Sequence, residues 1–397
     1  MMDMENCRTK RLYYEDSHKI YFTGKVLECS PSPKDGKTWE VILDRTAFYP
    51  EGGGQPADHG TLGGIPVIDV REKDGDVLHI TTAPLETGIQ AEGCVDWNRR
   101  LSLMQQHTGE HILSGLVHKL YGYENVGFHM GADGVTVDFN GEISPKDIPR
   151  LERLSNQAIW ADLPVSADYP PAETLNRMHY RSKKELTGPV RIVTIKDTDV
   201  CACCGVHTRS TGEVGALKIV SCQKHKGGVR LTLQMGMGAL EHYGQLLESV
   251  TQISNLLSAK QPEVSQAVER LQEEAFSLRQ KLSSARREAF ENKAAALPDG
   301  RQVLFLIESP GLTPLELRQY CTILCEKAKA AAIFSGDDSQ GYKYAFGSSS
   351  IDIRPYGKAL NTALQGRGGG ASDLVQGSVT AAAGKIQEFF QNLKIEV

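Results

Sequence analysis

Two short segments, far apart in the chain, each contain two residues that commonly bind metal ions. His107 and His111 stand four positions apart in the first segment, and Cys203 and His207 repeat that spacing in the second. On a helix, residues four apart lie one turn apart on the same face, so two imidazoles can bind one ion. One thiolate and three imidazoles suit zinc, either as a closed tetrahedron or as three protein ligands plus water. We therefore predict one zinc ion per chain at these four residues.

Chance spacing is the alternative to a metal site. A single pair of histidines at this spacing is common on polar helix faces, but two such pairs in one chain favour a shared ion. The first segment reads HTGEH, so the metalloprotease order, with Glu directly after the first His, is absent. Glu110 is a candidate general base, although we expect the helix to turn it away from the ligand face. Cys201 and Cys204 are close enough in sequence to compete with Cys203.

The composition is that of an ordinary globular protein. The 397 residues allow two or three domains, and 40% hydrophobic with 23% charged residues is a typical balance. No apolar run has the length of a membrane span or of a signal peptide core, so we expect no membrane partner. Nine cysteines, an odd number without a regular framework, fit a reducing compartment. The prediction is a cytoplasmic protein.

The net charge of -5 does not favour a nucleic-acid partner, because phosphate binding usually requires a basic surface. Local basic clusters do occur, at residues 177–184, at residues 224–230 and at Arg286 with Arg287. Each cluster could equally be a solvated surface.

Hydrophobic patterns divide the chain into four parts. Short strands separated by turns predict a small antiparallel β-barrel or sandwich before the histidine helix, which itself belongs to an α+β part. From residue 238, apolar residues in alternating steps of four and three predict two coiled-coil-like helices, with Pro262 able to open the second. We predict a multidomain α+β fold with a β-barrel domain (1–95), an α+β metal-binding domain (96–237), a helical linker (238–297) and a small α/β domain (298–397). The helices could form a hairpin, a homodimer contact, or both.

The metal-binding segments carry a family resemblance. HTGEHILSG and the later CACCGVHTRSTGEVG resemble the editing domain of alanyl-tRNA synthetase and its free-standing relatives, the alanyl-tRNA editing proteins called AlaX. The family pattern has Cys-Gly-Gly-Thr-His in the second segment, where this chain has Cys203-Cys204-Gly205-Val206-His207. The resemblance extends over nearly the whole chain, without the aminoacylation domain of the synthetase, and implies a stand-alone editing protein of the long AlaX type.

The resemblance also implies roles for a glycine-rich segment near residue 50. TAFYPEGGGQPADHG is similar to the family's glycine-rich motif, which lines the amino-acid pocket beside the metal. By this resemblance Gly52, Gly53 and Gly54 contact substrate, the Thr46 hydroxyl meets the substrate side chain, and Gln55 helps to position it. Taken by itself, a run of glycines is also typical of a surface turn.

The sequence leaves two interpretations open for Asp138 and for the glycine-rich run that contains Arg367. Asp138, in a segment similar to the family's Asp-Phe string, could orient a ligand histidine, or could pair with a lysine on the sheet. The glycine-rich run with Arg367, Gly368 and Gly369 resembles the C-terminal domain of the synthetase, which contacts tRNA. In isolation that run could be a phosphate-binding nest or a flexible loop.

The resemblance implies a zinc-dependent hydrolase that removes the wrong amino acid from tRNA for alanine. A pocket made for alanine discriminates by only about 1–3 kcal/mol against serine or glycine, so a second site is needed. We expect tRNA(Ala) charged with serine as the substrate, and the sequence leaves open whether glycine is also removed. Zinc could activate a water by lowering its pKa to about 7 or could hold the substrate. The alternatives are a tRNA-binding or regulatory protein with a structural zinc, and a metallo-esterase or peptidase for small molecules.

Overall fold

The computed structural model describes residues 8–33, 36–131, 134–182 and 189–395. The chain forms two compact units, Met1–Thr251 and Gln252–Val397. The mixed α+β, multidomain organisation predicted from the sequence is confirmed. The finer division at residues 95, 237 and 297 stays a prediction.

The first part of the N-terminal unit consists mainly of β-strands. Its elements are β1 (Lys10–Arg11), α1 (Leu12–Glu15), β2 (Tyr21–Pro31), β3 (Trp39–Leu43), β4 (Arg45–Thr46), β5 (Gly60–Leu62), β6 (Ile65–Lys73), β7 (Asp76–Thr81) and β8 (Gln90–Val95). Six of these strands close into a barrel in the order β2-β3-β7-β6-β5-β8. Residues of β2 alternate between exposed and buried, as expected for a strand with one face against a core. The barrel interior is apolar and includes Val26, Val41, Leu62 and Val70.

The long helix α2 (Trp97–Tyr121) follows the barrel directly. It begins where the Asp96 side chain accepts a hydrogen bond from the Arg99 backbone N–H, and it ends at Gly122 in the left-handed conformation. One face of the helix carries Ile112, Leu113 and Val117 into the largest apolar core of this unit. The helix that carries the two predicted histidine ligands is therefore a buried, well-bounded element.

Two sheets and two further helices follow α2 in the chain. Their elements are β9 (Asn125–Gly131), β10 (Gly134–Phe139), α3 (Ile148–Trp160), β11 (Val165–Asp168), α4 (Ala172–Leu175), β12 (Ile192–Ile195), β13 (Asp199–Ala202), β14 (Leu217–His225) and β15 (Gly228–Met235). Of these elements, α3, β9, β10, β13 and β15 contact α2. One antiparallel sheet has the order β14-β15-β10-β9, and a smaller one has the order β11-β12-β13. The segment that contains Cys203 and His207 leaves the end of β13, so the second sheet delivers it towards α2.

Two long helices, α5 (Gly236–Leu256) and α6 (Val264–Ala295), occupy the region of alternating apolar spacing. Pro262 lies in a short 3-10 turn, Gln261–Glu263, immediately before α6. Residues of the predicted apolar stripe are largely exposed in the single chain, for example Tyr243 at 64% and Leu278 at 55%. Coiled-coil pairing of these helices stays a prediction.

The rest of the C-terminal unit is a five-stranded sheet with helices. Its elements are β16 (Arg301–Glu308), α7 (Pro314–Cys325), β17 (Ala328–Asp337), β18 (Gly341–Gly347), α8 (Arg354–Ala363), β19 (Gly366–Gly370), β20 (Leu374–Val379) and α9 (Ala383–Asn392). The strand order is β16-β17-β18-β20-β19, and only the pair β16 and β17, joined through α7, is parallel. Phe390 contacts both Phe334 and Phe346 in its core.

Among the described residues, the helices are either too short or too polar to cross a membrane.

Candidate metal centre

A buried ion pair fixes the start of the histidine helix. Arg100, in the first turn of α2, donates from Nε to Asp58 Oδ1 at 2.9 Å, and both side chains are fully buried. Asp58 also accepts from the Tyr49 backbone N–H at 2.6 Å. This pair joins α2 to the glycine-rich segment, so His107, two turns further along, has a defined position relative to that segment.

The segment that follows β13 is held by an arginine. Nη1 of Arg191 donates to the carbonyl oxygens of Cys203 at 3.0 Å and Gly205 at 2.8 Å. Its guanidinium also lies 4.8 Å from the ring centre of Tyr14, whose hydroxyl donates to the Cys204 carbonyl. These contacts bring Cys203 and His207 against α2 in one rigid turn.

Gly205 permits that close approach. A Cβ atom at this position would lie 2.1 Å from Cε1 of His107, far closer than two non-bonded carbon atoms can approach. Of the two glycines in the family pattern Cys-Gly-Gly-Thr-His, this chain keeps the one that packs on the histidine ring. The glycine is therefore part of the site even though it has no side chain to offer.

The structure brings the four predicted ligands together. One atom from each of His107, His111, Cys203 and His207 lies within 4.8 Å of the others. The ring centres of His107 and His207 are 4.5 Å apart, and Cys203 Sγ is 3.4 Å from Nε2 of His107. We call these four residues the quartet. Their grouping has the size of a single metal site, and tetrahedral N and S donors are those that zinc prefers.

Each histidine of the quartet uses Nδ1 for an outer hydrogen bond. His107 Nδ1 donates to Gln55 Oε1 at 2.8 Å, and His111 Nδ1 donates to Asp199 Oδ2 at 2.8 Å. His207 Nδ1 lies 3.3 Å from the Thr108 hydroxyl. The oxygens of Gln55 and Asp199 can only accept, so they fix the tautomers of His107 and His111, whereas the Thr108 hydroxyl orients the ring of His207. In this arrangement Nε2 faces the interior of the quartet.

One of these inward atoms has no hydrogen-bond partner. Nε2 of His207 is buried and makes no hydrogen bond of normal length and angle to the described residues, although the Cys203 thiol lies beside it. A buried polar atom without a partner costs about 1–3 kcal/mol, so its presence needs an explanation. An ion bound by the quartet would satisfy it, and the residues present therefore fit zinc.

The charge state of Cys203 agrees with that fit. Burial alone would raise the pKa of its thiol, but the imidazoles of His107 and His111 lower this pKa well below the usual range. Burial, together with the nearby His107, lowers the pKa of His207 to about 3. A thiolate and a neutral imidazole are the forms that bind metal ions.

The two neighbouring cysteines have different environments. Burial raises the pKa of Cys201 to about 11 and also raises the pKa of Cys204. Cys201 forms a separate group with His111 and Asp199, whereas Cys204 is exposed and, among the described residues, belongs to neither group. Of the three cysteines, Cys203 is the one that joins the quartet.

A cavity of about 320 Å³ opens beside the quartet. His107, His111 and Cys203 lie in its wall together with Glu110, Arg181 and Gly53. Our expectation that the helix turns Glu110 away was wrong. A helix rotates by about 100° per residue, so Glu110 is only about 60° from His107 and lies on the cavity side of α2.

Thr46 lies on β4, beside the barrel, and its side chain contacts His79 of barrel strand β7. Its hydroxyl is fully buried, lies 2.7 Å from His79 Nε2 and accepts from the Phe48 backbone N–H at 3.0 Å. His79 Nδ1 donates to the Val41 carbonyl, so its Nε2 accepts the Thr46 proton. Burial lowers the pKa of His79 to about 4, which keeps this imidazole neutral. The Thr46 hydroxyl thus donates one hydrogen bond and accepts another inside the fold, and Thr46 is not among the described residues that line the cavity.

Gln55 contacts the quartet rather than the cavity. Its Oε1 accepts from His107 Nδ1 and also from the Val206 backbone N–H at 3.2 Å, and the side chain is fully buried. These contacts indicate that Gln55 orients His107, whereas the positioning of substrate suggested by the resemblance stays a prediction.

The three glycines of the glycine-rich segment have different surroundings. Gly53 lines the cavity and has a positive φ of 61°. Gly54 packs on Phe128, where a Cβ would lie 2.6 Å from Cδ1, and Phe128 in turn stacks on His107. Gly52 closes a tight turn with Gln55. Of the three, Gly53 is the one placed to contact a molecule in the cavity.

Asp138 follows the second of its two alternatives, with an arginine in place of a lysine. Its carboxylate accepts from Arg230 Nε at 2.6 Å and from Arg230 Nη2 at 2.7 Å across the sheet. The carboxylate that orients a ligand histidine is Asp199, itself held by Arg181 through bonds of 2.7 and 2.9 Å. The sequence analysis missed Asp199, although its position four residues before Cys203 is a local signal.

The glycine-rich run near the C-terminus is neither a nest nor a flexible loop. Gly366–Gly370 forms β19, the edge strand of the five-stranded sheet, and Arg367, Gly368 and Gly369 are exposed on it. A Cβ at Gly368 would lie 2.4 Å from the Gln376 carbonyl oxygen of β20, which explains the glycine by close strand packing.

Several basic residues noted in the sequence are paired within the chain. Lys224 lies 3.4 Å from Glu142, Arg230 binds Asp138, and Arg287 binds Glu291 at 2.7 Å. Residues 183 and 184 of the first cluster lie outside the described residues.

Comparisons with known proteins agree with this geometry. The sequence profile described as "Threonyl and Alanyl tRNA synthetase second additional domain" matches residues 190–231, and the profile "tRNA synthetases class II (A)" matches residues 2–99. The first match covers the segment that contains Cys203 and His207.

Individual relatives cover more of the chain. The alanyl-tRNA editing protein AlaX-L of Pyrococcus horikoshii is 30% identical over 402 residues, which span 96% of each protein. The alanine–tRNA ligase of Pyrobaculum neutrophilum is 32% identical over 93% of this chain and 42% of its own length. Among solved structures, the C-Ala domain of Aquifex aeolicus alanyl-tRNA synthetase matches 24% of this chain at 19% identity, with a TM-score of 0.20.

This chain thus spans about two fifths of the ligase and nearly all of the free-standing protein. Similarity over 96% of both proteins, together with the grouping of the quartet, places the chain in the family of alanyl-tRNA editing proteins of the AlaX-L type.

Proposed function

We propose that this protein is a zinc-dependent aminoacyl-tRNA hydrolase that acts in trans on mischarged tRNA(Ala). Ser-tRNA(Ala) is its main substrate, and Gly-tRNA(Ala) is a second substrate to be tested. The bond that breaks is the ester between the amino acid and the terminal ribose. The observation that carries this proposal is the buried quartet with its unpartnered His207 Nε2, which opens on a cavity large enough for an aminoacyl group.

The quartet would hold one zinc ion per chain. Zinc bound there would supply Lewis-acid chemistry, either to activate a water molecule or to polarise the ester carbonyl. The protein's own part is to fix the donors: Gln55, Asp199 and Thr108 set the three imidazole rings, and Arg191 with Gly205 sets the position of Cys203.

Selection of serine over alanine requires recognition of the serine hydroxyl. A site that hydrogen-bonds a hydroxyl rejects the analogue without it strongly, because its own buried polar groups would then stay unpaired. The cavity wall offers polar side chains for this purpose, including Asn125 and Ser182. Thr46 is fully buried, its proton is donated to His79, and it is not among the described residues of the cavity wall, so the proposal does not assign the recognition of serine to it.

The C-terminal unit is proposed to contact tRNA. Arg367 with Gly368 and Gly369 presents an exposed cation on an edge strand that has little side-chain bulk, so a phosphate backbone could approach closely.

The exposed apolar stripe of the helical region is the place where we predict a homodimer contact. The oligomeric state in solution would test this prediction.

The test is the hydrolysis of tRNA(Ala) charged with serine, glycine or alanine by zinc-loaded protein, with the variant His107→Ala/His111→Ala as comparison. We expect the wild type to release serine, to spare alanine, and to lose this activity in the variant. Failure of folded, zinc-containing wild type to hydrolyse any of the three would overturn the proposal and favour a tRNA-binding protein with a structural zinc.

A further inference from the structure

We propose that Tyr169 stacks on the nucleobase of the terminal tRNA nucleotide while the aminoacyl group occupies the cavity beside the quartet. The inference rests on the proposed hydrolase function and extends it to the recognition of the nucleoside half of the substrate. The ligand class is then an aminoacyl nucleoside, which is bound through both its aminoacyl group and its base.

The chemistry of this substrate places its base at the opening of the cavity. In an aminoacyl-tRNA the ester oxygen belongs to the terminal ribose, and the same ribose carries the base. An ester carbonyl close to the quartet therefore leaves the base one ribose ring away from the reacting centre. The exposed residues among those that line the cavity mark its opening, and they are Gly53, Ser182, Pro189 and Cys204.

The three-stranded sheet brings Tyr169 to this opening. The strands β11, β12 and β13 are paired side by side up to the end of β11. Immediately beyond that paired end come Tyr169, Arg191 and Cys203, and the Cys203 backbone N–H donates to the Arg191 carbonyl at 3.0 Å. Tyr169 therefore belongs to the same end of the sheet as a quartet ligand and a residue of the cavity wall.

The contacts of the Tyr169 ring agree with that position. The ring meets the Tyr14 ring edge to face, with the two ring centres 6.5 Å apart. Tyr14 is itself fixed, because its hydroxyl donates to the Cys204 carbonyl at 3.1 Å and the Arg191 guanidinium lies over its ring. Both Arg191 and Cys204 line the cavity. One aromatic ring thus separates Tyr169 from the cavity wall.

Tyr169 is exposed, yet its backbone is restrained. The residue is 45% exposed, and it stands between the paired strand β11 and two consecutive prolines, Pro170 and Pro171. A residue before proline is restricted to extended conformations, and proline fixes its own φ. An exposed tyrosine by itself needs no explanation. A ring already held beside the cavity, however, loses little freedom when a flat ligand stacks on it.

An aromatic ring in this position would select for the base. Every nucleobase has a π face, and stacking on an aromatic side chain changes affinity by about 5–150-fold per base. A serine ester without a base forgoes this contribution. Tyr169 would therefore distinguish aminoacyl nucleosides from small serine esters that fit the same cavity.

The experiment measures the affinity of the zinc-loaded protein for two analogues that cannot be hydrolysed. In one, serine is joined through an amide to the ribose of adenosine, and in the other the same ribose has hydrogen in place of the base. We expect the wild type to bind the adenine analogue about 5–150-fold more tightly than the analogue without a base. In Tyr169→Ala this preference should disappear, through weaker binding of the adenine analogue alone.

Three further variants separate stacking from a structural role. Tyr169→Phe keeps the aromatic face and should keep the preference, whereas Tyr169→Leu keeps an apolar contact with Tyr14 and should lose it. Tyr21→Ala removes an exposed tyrosine of barrel strand β2 and is the matched control, which should bind both analogues like the wild type.

Equal affinity of the wild type for the two analogues would overturn the inference, and so would a preference that survives in both Tyr169→Ala and Tyr169→Leu. Equal weakening of both analogues in these variants would also overturn it, because it would indicate damage to the cavity. The proposed function is tested separately by Ser-tRNA(Ala) hydrolysis with the same wild-type protein, and a failure there would leave the measured base preference unchanged.

Discussion

Two groups of buried histidines in the N-terminal unit differ in whether all of their ring nitrogens have hydrogen-bond partners. In the barrel, His79 donates to the Val41 carbonyl and accepts from Thr46, so both ring nitrogens have partners. In the quartet, the Nδ1 atoms are bonded outwards while Nε2 of His207 is buried without a partner. A saturated imidazole serves the fold, whereas an imidazole with an unused inward nitrogen is prepared for a ligand. The contrast predicts that Thr46, which a family resemblance connects with substrate, acts in this chain as a structural residue.

The largest effect should follow from crowding the quartet through Gly205→Ala. The added Cβ would lie 2.1 Å from Cε1 of His107, so the ring must move out of the site. We expect the variant to lose its zinc. Its rate of serine deacylation should fall by more than the roughly 10–100-fold that is typical when a hydrogen-bond partner of a ligand histidine is removed. Gly244→Ala, where a Cβ meets nothing within 4 Å, is the matched control and should keep both properties.

His79, in the barrel, should make the free energy of unfolding decrease at acidic pH. The pKa of His79 is about 4 in the folded protein against 6.5 for a free imidazole, so between these values the unfolded chain binds a proton that the folded chain does not. Stability therefore falls as pH decreases from 6.5 to 4, by up to about 3 kcal/mol. Urea denaturation at several pH values should show this loss reduced in His79→Gln. Equal pH dependence in both proteins would mean that His79 titrates normally.

A change in the outer partner of a ligand histidine should have an intermediate effect. Asp199→Asn removes the carboxylate that accepts from His111 Nδ1, and we expect zinc affinity to fall by about 10–100-fold. Asp138→Asn is the control, because that carboxylate pairs with Arg230 on the sheet. Zinc affinities from competition with a chelator would separate the two, and equal affinities in both variants would contradict the role of Asp199.

Thr46→Val should have the smallest effect on editing. The variant leaves His79 Nε2 and the Phe48 N–H without their partner, so we expect a loss of about 1–3 kcal/mol in the free energy of unfolding. The ratio of serine to alanine hydrolysis by the folded variant should stay unchanged. A lower ratio of serine to alanine hydrolysis in a variant of unchanged stability would indicate that Thr46 contacts the substrate.

The sequence predicted the quartet because its signal is local. Two pairs at a spacing of four identify His107, His111, Cys203 and His207 without knowledge of the fold. The alternation of strand residues and the long helical stretches likewise predicted a mixed α+β chain, since each pattern depends on near neighbours.

What the sequence did not predict depends on contacts between distant segments. The partners Gln55 and Asp199 lie 52 and 88 positions from the histidines that they orient. Asp138 was considered for the role of Asp199, and only the sheet register that places it opposite Arg230 decides against this. The glycine run at 366–370 gave no sign that it would pair as an edge strand, because glycine has no side-chain pattern.

The central claim is that the quartet holds the zinc on which editing depends, and Cys203 tests it most directly. The measurement is the zinc content per chain together with the rate of Ser-tRNA(Ala) hydrolysis, in the wild type, Cys203→Ser and the neighbouring control Cys204→Ser. We predict one zinc per chain and full activity in the wild type and in Cys204→Ser, and loss of both in Cys203→Ser. Retention of a full zinc and of wild-type activity by Cys203→Ser would contradict this account.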